Sequence, residues 1–222
     1  MLPMKFAAFE TATEWCSVAL WLDGEITAIE ERAGNRHSER LLPLLEKLFK
    51  MKGITPKQLD AVAFGAGPGS FTGLRIACGI AQGIASARGL PAIGVSTLEA
   101  IAEESGATRV VACLDARMRE VYYSALEFHE GRWREVIPAL CAAPAVVPKP
   151  PGAGWIGCGN GFATYGPMGF AKVLPEIHPT AIAVARLAAP RLAAGEGVDA
   201  ALAVPVYVRD KVAFTEAERG AA

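Results

Sequence analysis

The chain has no CxxC pair, and its three histidines, His37, His129 and His178, stand far from one another and from any cysteine. Metal-ligand spacing is therefore absent. It also lacks a run of basic residues. A net charge of −1 over 222 residues leaves no stripe on which a dedicated nucleic-acid binder would rest, so RNA contact is expected to be weak or shared with a partner. Met1-Leu2-Pro3-Met4-Lys5 has no signal-peptide apolar core, and no apolar span reaches about 18 residues. Charged residues are only 20% against 52% apolar, too few for disorder to be the overall state. The five cysteines are odd in number and scattered through apolar runs, which suits reduced core residues. The expectation is a soluble cytoplasmic protein of one large or two small domains, with no membrane contact and roughly 70% of its unfolded surface buried.

What is present centres on Leu59–Arg88. Ala61–Phe64 reads as a buried strand, Gly65-Ala66-Gly67-Pro68-Gly69-Ser70 as a glycine-rich turn, and a long small-residue helix follows from Phe71. Such junctions bring backbone N–H groups close to a ligand or to another chain. The dinucleotide fingerprint fails at Ser70, and no Gly-Lys-Ser/Thr completes a phosphate loop. Gly67, Gly69 and Ser70 thus stay open as an anion loop or a plain tight turn, with Ser70 a helix cap rather than a nucleophile.

In chain order, Phe6–Glu10, Trp15–Leu22 and Glu25–Glu31 predict an antiparallel meander turning at Asp23-Gly24. Ser38–Lys52 predicts an amphipathic helix with Leu41, Leu44, Leu45, Leu48 and Phe49 on one face. Leu42 and Met51 widen that face, which hints at two bodies to cover it. Pro43 either sits in a first turn or kinks the helix. The helix after the glycine turn carries Leu74, Ala77, Cys78, Ala81, Ile84 and Ala85, with glycines at 73, 79 and 83. Glycine costs a helix roughly 1 kcal/mol relative to alanine, so a backbone packs closely there, belonging to the sheet or to another subunit. Ala92–Val95 and a capped helix to Gly106 follow, then strands Arg109–Asp115, Glu120–Phe128 and Arg132–Val136. Pro138–Pro151 holds five prolines and predicts no regular element. A strand stub at Trp155-Ile156, a second glycine loop at 157–161 and one loose turn within 162–170 come next. Last are a helix over Thr180–Ala194 interrupted at Pro190, a strand-like Ala203–Arg209 and a frayed tail from Thr215. Two α/β lobes emerge, 1–106 and 107–222, the final segments free to return to the first.

Asp115 and Arg117 at a strand end read as an anion site or as a pair satisfying each other. Arg75, in the first turn of a helix, opposes the helix dipole and predicts a salt bridge across a lobe or interface.

The segment GPGSFTGLRI, with Phe9–Thr13, His37–Pro43, Ile93–Leu98, Asp115–Met118 and Pro205–Arg209 in order, resembles the TsaB (YeaZ) family. The resemblance implies an α/β, two-lobed actin-like ATPase (ASKHA) fold, with mixed sheets flanked by helices. It implies a non-catalytic scaffold that binds and activates TsaD in forming N6-threonylcarbamoyladenosine at position 37 of tRNAs reading ANN codons. TsaD and TsaE are the expected partners, with a homodimer when alone and tRNA met only indirectly. The interface would draw on Leu41, Leu45, Leu48, Arg75, Ala77, Ile80, Ala81 and Ile84. A nucleotide or anion loop would comprise Glu10, Thr11, Thr13, Gly67, Gly69, Ser70, Asp115 and Arg117. The family carries Asp where this chain has Glu10, which sets nucleotide chemistry in question. No metal and no cofactor of its own are expected, ATP or ADP being placed at the TsaB–TsaD boundary. The alternative is an actin-like ATPase or kinase acting alone; a peptidase has no nucleophile–base pair to support it.

Overall fold

The computed structural model describes residues 4–209. Strands β1 (Lys5–Glu10), β2 (Trp15–Leu22) and β3 (Glu25–Arg32) form the expected meander, Asp23 and Gly24 turning at φ 56° and 103°. Helix α1 (His37–Lys52) leads to β4 (Ala61–Gly67), α2 (Phe71–Arg88), β5 (Ala92–Ser96) and α3 (Thr97–Glu104). β4 pairs parallel to β1 and β5 parallel to β4, giving a sheet of order β3-β2-β1-β4-β5.

The second half repeats the plan. β6 (Arg109–Arg117), β7 (Glu120–His129) and β8 (Arg132–Ala142) form a meander, and β9 (Ile156–Cys158) and β10 (Val173–Leu174) add parallel strands. Its order is β10-β9-β6-β7-β8. Between β9 and β10 lies α4 (Gly161–Tyr165), and α5 (Ala181–Ala193) follows. This is the two-lobed actin-like arrangement of mixed sheets flanked by helices.

Alternation along the strands sorts the core into layers. Ala7, Phe9, Val18, Leu20, Val62 and Phe64 pack outward beneath α1 and α2. Phe6, Ala8, Ala19, Ala61 and Ala63 pack inward, in one cluster with α3, α5 and Val110, Ala112 and Leu114 of the second sheet. The outer side of the second sheet is covered by Phe162 of α4 and Val147. The first sheet thus has two long helices outside, and the second has one short one.

Prolines account for most departures from expectation. α1 begins at His37, so Pro43 is interior, and α5 runs unbroken through Pro190. Both prolines are exposed, so water can take up the carbonyl that each leaves unbonded. Pro138 lies within β8, an edge strand whose register shifts between Ile137 and Leu140, where a missing donor is tolerated. The two-residue β10 carries no periodicity and was not expected. Ala203–Arg209 forms no strand, and the tail from Thr215 lies outside the described residues.

Candidate functional site

The glycine-rich loop is spent inside the chain. A Cβ on Gly73 would stand 1.9 Å from the Thr11 carbonyl oxygen, and one on Gly69 2.6 Å from Ala12 Cβ. The β1–β2 turn therefore rests directly on the start of α2. Two bonds fasten it, Ser70 N–H donating to Ala12 O at 2.8 Å and Thr11 Oγ1 donating to Gly73 O at 2.8 Å, while Ser70 Oγ caps Gly73 N–H at 3.3 Å within the helix start itself. Gly67 adopts φ 116°, with Val206 O 2.6 Å from where its Cβ would be. Thr13 is local as well, accepting from Trp15 N–H with its hydroxyl and from His37 with its carbonyl.

Glu10 ends β1 and is sealed. Its Oε1 accepts Ala12 N–H at 2.6 Å, while Oε2 is buried without a partner and presses on Gly65, where a Cβ would lie 1.9 Å away. Burial pushes its pKa from 4.5 up to about 7, the backbone bonds and His178 pulling it partly back. At the matching place in the second lobe, Asp115 Oδ1 accepts Arg117 N–H at 2.9 Å and the Tyr165 hydroxyl at 3.1 Å. Its Oδ2 faces the Arg117 guanidinium at 3.3 Å, so the pair satisfies itself.

An actin-like nucleotide site needs an ionised carboxylate open to the cleft and room for phosphates. Here one acid is closed over by a strand and the other is engaged by its neighbours. The hollow at the lobe junction, bounded by Pro68, Phe71, Tyr122, Val206 and Arg209, is about 20 Å³, room for a single water. The residues present do not fit Mg-nucleotide. Among the described residues no three His, Cys, Asp or Glu side chains gather to hold a metal. Burial pushes the thiols of Cys16, Cys113 and Cys158 up to about 12, so they are inert core groups.

The helical face needs correcting. Leu41, Leu45 and Leu48 of α1 and Ala77 and Ala81 of α2 are buried beneath the chain's own sheet and cannot meet a partner. An amphipathic period shows that a face is covered, not by what. The surface left open on these touching helices is the opposite one. Leu42 and Met51 of α1, 51% and 59% exposed, stand nine residues and so half a turn apart, one on each flank of its buried stripe. On α2, Gly79 and Gly83 are exposed, and a Cβ on either would meet nothing within 4 Å. Ile80 and Ile84 lie between the two faces, half-buried. Among the described residues Arg75 makes no interlobe ion pair. Its guanidinium stacks on Phe71 at 3.7 Å, and Nε donates to the Tyr207 hydroxyl at 3.1 Å.

Sequence reasoning passed over His178, which stacks on Trp15 at 4.6 Å and bonds Glu30 at 3.0 Å, 148 residues away. Nothing local signals such a pairing.

The family model described as "TsaD: tRNA N6-adenosine threonylcarbamoyltransferase" matches residues 28–153, more than half of the chain. A curated relative from Escherichia coli K12, "tRNA threonylcarbamoyladenosine biosynthesis protein TsaB", is 38% identical over 95% of this chain and 97% of its own. The chain belongs to the TsaB family. A Haemophilus influenzae member of the same name is 34% identical over 96% of this chain and 97% of its own. The solved structure "YeaZ from Pseudomonas aeruginosa" superposes with a TM-score of 0.88 at 38% identity, covering 92% of this chain and 99% of that one. The sealed Glu10 is read from this chain's own geometry. No helix among the described residues is long and apolar enough to cross a membrane.

Proposed function

We propose that this chain is a non-catalytic subunit of the machinery that forms N6-threonylcarbamoyladenosine at position 37 of tRNAs reading ANN codons. It binds and activates a TsaD-type transferase through the open face of α1 and α2. The names of its relatives support the pathway. The observation that carries the role is the outward surface of α2, where Gly79 and Gly83 leave the backbone bare, with Leu42 and Met51 exposed on the two flanks of neighbouring α1. Bare glycines invite a helix to approach closely, and projecting apolar side chains gain by being covered. The chain works in the cytoplasm, pairs with itself through the same face when alone, and meets TsaE and tRNA only through the assembled complex. The sealed Glu10 and self-satisfied Asp115 support a subunit without chemistry or nucleotide of its own, with ATP or ADP held at the boundary with TsaD.

Gly83→Arg tests this, because the added side chain points to open space and spares the fold. Light scattering on a sizing column with the TsaD-type subunit from the same organism should give a complex for the wild type and none for a folded Gly83→Arg. A complex of unchanged mass would reject this face. Calorimetry with ATP and Mg²⁺ on the lone chain addresses the alternative, an ATPase or kinase acting alone: micromolar binding with turnover would establish it.

A further inference from the structure

Residues 203–209 start in the outer layer beside α2 and cross from the first lobe to the second over the ends of β4 and β6. Four contacts moor them to the first lobe. Gln82 Nε2 donates to Ala203 O at 2.8 Å, Cys78 Sγ to the same oxygen at 3.2 Å, and Val206 N–H to Ala66 O at 2.7 Å. Tyr207 takes the bond from Arg75 and lies 5.6 Å from the Phe71 ring. Gly67 belongs to the same mooring, since any side chain there would strike Val206 O.

On the second lobe the polar contacts converge on one side chain. Arg209 Nη2 donates to Glu120 Oε2 at 2.6 Å and reaches Arg117 O at 3.4 Å, while Nη1 lies 3.7 Å from Met118 Sδ. Its guanidinium stands 5.7 Å over the Tyr122 ring, and the side chain is 13% exposed. These groups are the two ends and the tip of the β6–β7 turn. That turn holds three successive non-glycine residues, Arg117, Met118 and Arg119, at φ 60°, 54° and 60°. Left-handed backbone at three bulky residues is unfavourable and persists only where surroundings enforce it. Within the turn, the Asp115 carboxylate holds the Arg117 N–H. The remaining grip, on Arg117 O, Met118 and Glu120, comes from Arg209.

We propose that residues 203–209 are an interlobe brace, moored on α2 and β4, which through Arg209 fixes the conformation of the β6–β7 turn. The brace links the helix carrying the proposed partner face to a turn in the other lobe, without itself depending on that face. A link of this kind is reciprocal, so loosening either end loosens the other.

Amide hydrogen exchange on the full chain tests it without any partner. Arg209→Ala should speed exchange at residues 117–120 at least fivefold and leave β1–β3 unchanged. Gln82→Ala, which touches only the first-lobe mooring, should also speed exchange at 117–120 by more than twofold. Should Arg209→Ala unfold the chain, Glu120→Gln keeps the shape of the pair while removing its charge, and it should speed exchange at 204–208 by more than twofold. Wild-type exchange at 117–120 in a folded Arg209→Ala, or in Gln82→Ala, would overturn the brace. So would wild-type exchange at 204–208 in Glu120→Gln.

Discussion

The two lobes share one strand order yet treat their first strands differently. In the first, the acid ending β1 is closed over by Gly65 and the neighbouring turn is clamped onto α2. In the second, the acid near the end of β6 is half-buried, engaged by Arg117 and Tyr165. The outer layers differ in the same sense, with 16- and 18-residue helices on one sheet and a five-residue helix on the other. A repeated scaffold has thus been made into one half that presents helices and one half that presents turns and edge strands.

The largest expected effect tests whether the halves truly share a backbone contact. Gly73→Ala would drive a methyl to 1.9 Å from Thr11 O, and Gly159→Ala one to 2.2 Å from Cys113 O at φ 112°. Each should lower unfolding free energy by about 4 kcal/mol in denaturant titration. A cost in one lobe only would break the likeness.

Next comes the sealed acid. Glu10 has its folded pKa raised from 4.5 to about 7, so the fold resists its ionisation. Its contribution is whole below pH 4.5 and is lost as pH rises through about 7. Glu10→Gln should match the wild type at pH 4 and exceed it by about 3 kcal/mol at pH 8. His178, raised chiefly by its bond to Glu30, leaves a smaller fall of the same sign in the variant. Equal stabilities of the two proteins at pH 8 would mean that Glu10 is not sealed. Asp115→Asn, in the half-open counterpart, should show no comparable gain.

The smallest effect is the most discriminating. Gly83→Ala adds a methyl to open space inside a helix and should stabilise the lone chain by about 1 kcal/mol. If another backbone must approach there, the same methyl should weaken the complex with the TsaD-type subunit. Stability and affinity moving in opposite directions would separate a contact face from an ordinary exposed helix. A gain in both would leave α2 as plain surface.

The strands and the long helices were legible because alternation and the three-to-four period report directly on burial. Ser70 as a cap and the Asp115–Arg117 pair were legible because both partners lie within a few residues. What was missed is non-local or context-bound. Leu41 and Leu42 are adjacent leucines with opposite fates, and only the position of the sheet decides between them. Pro138 looked like a strand breaker, yet an edge position leaves its missing N–H without consequence. Arg209 and Glu120 are 89 residues apart, so no local pattern joins them.

The inner layer also fixes when the molecule can be completed. Beneath the first sheet lies α5, made from residues 181–193, although the strands it covers have all been made by residue 96. A nascent chain therefore carries Phe6, Ala8 and Ala63 without α5 over them while the strands of the second sheet, residues 109–174, are still being made. The first lobe closes only after the second lobe's strands have been synthesised.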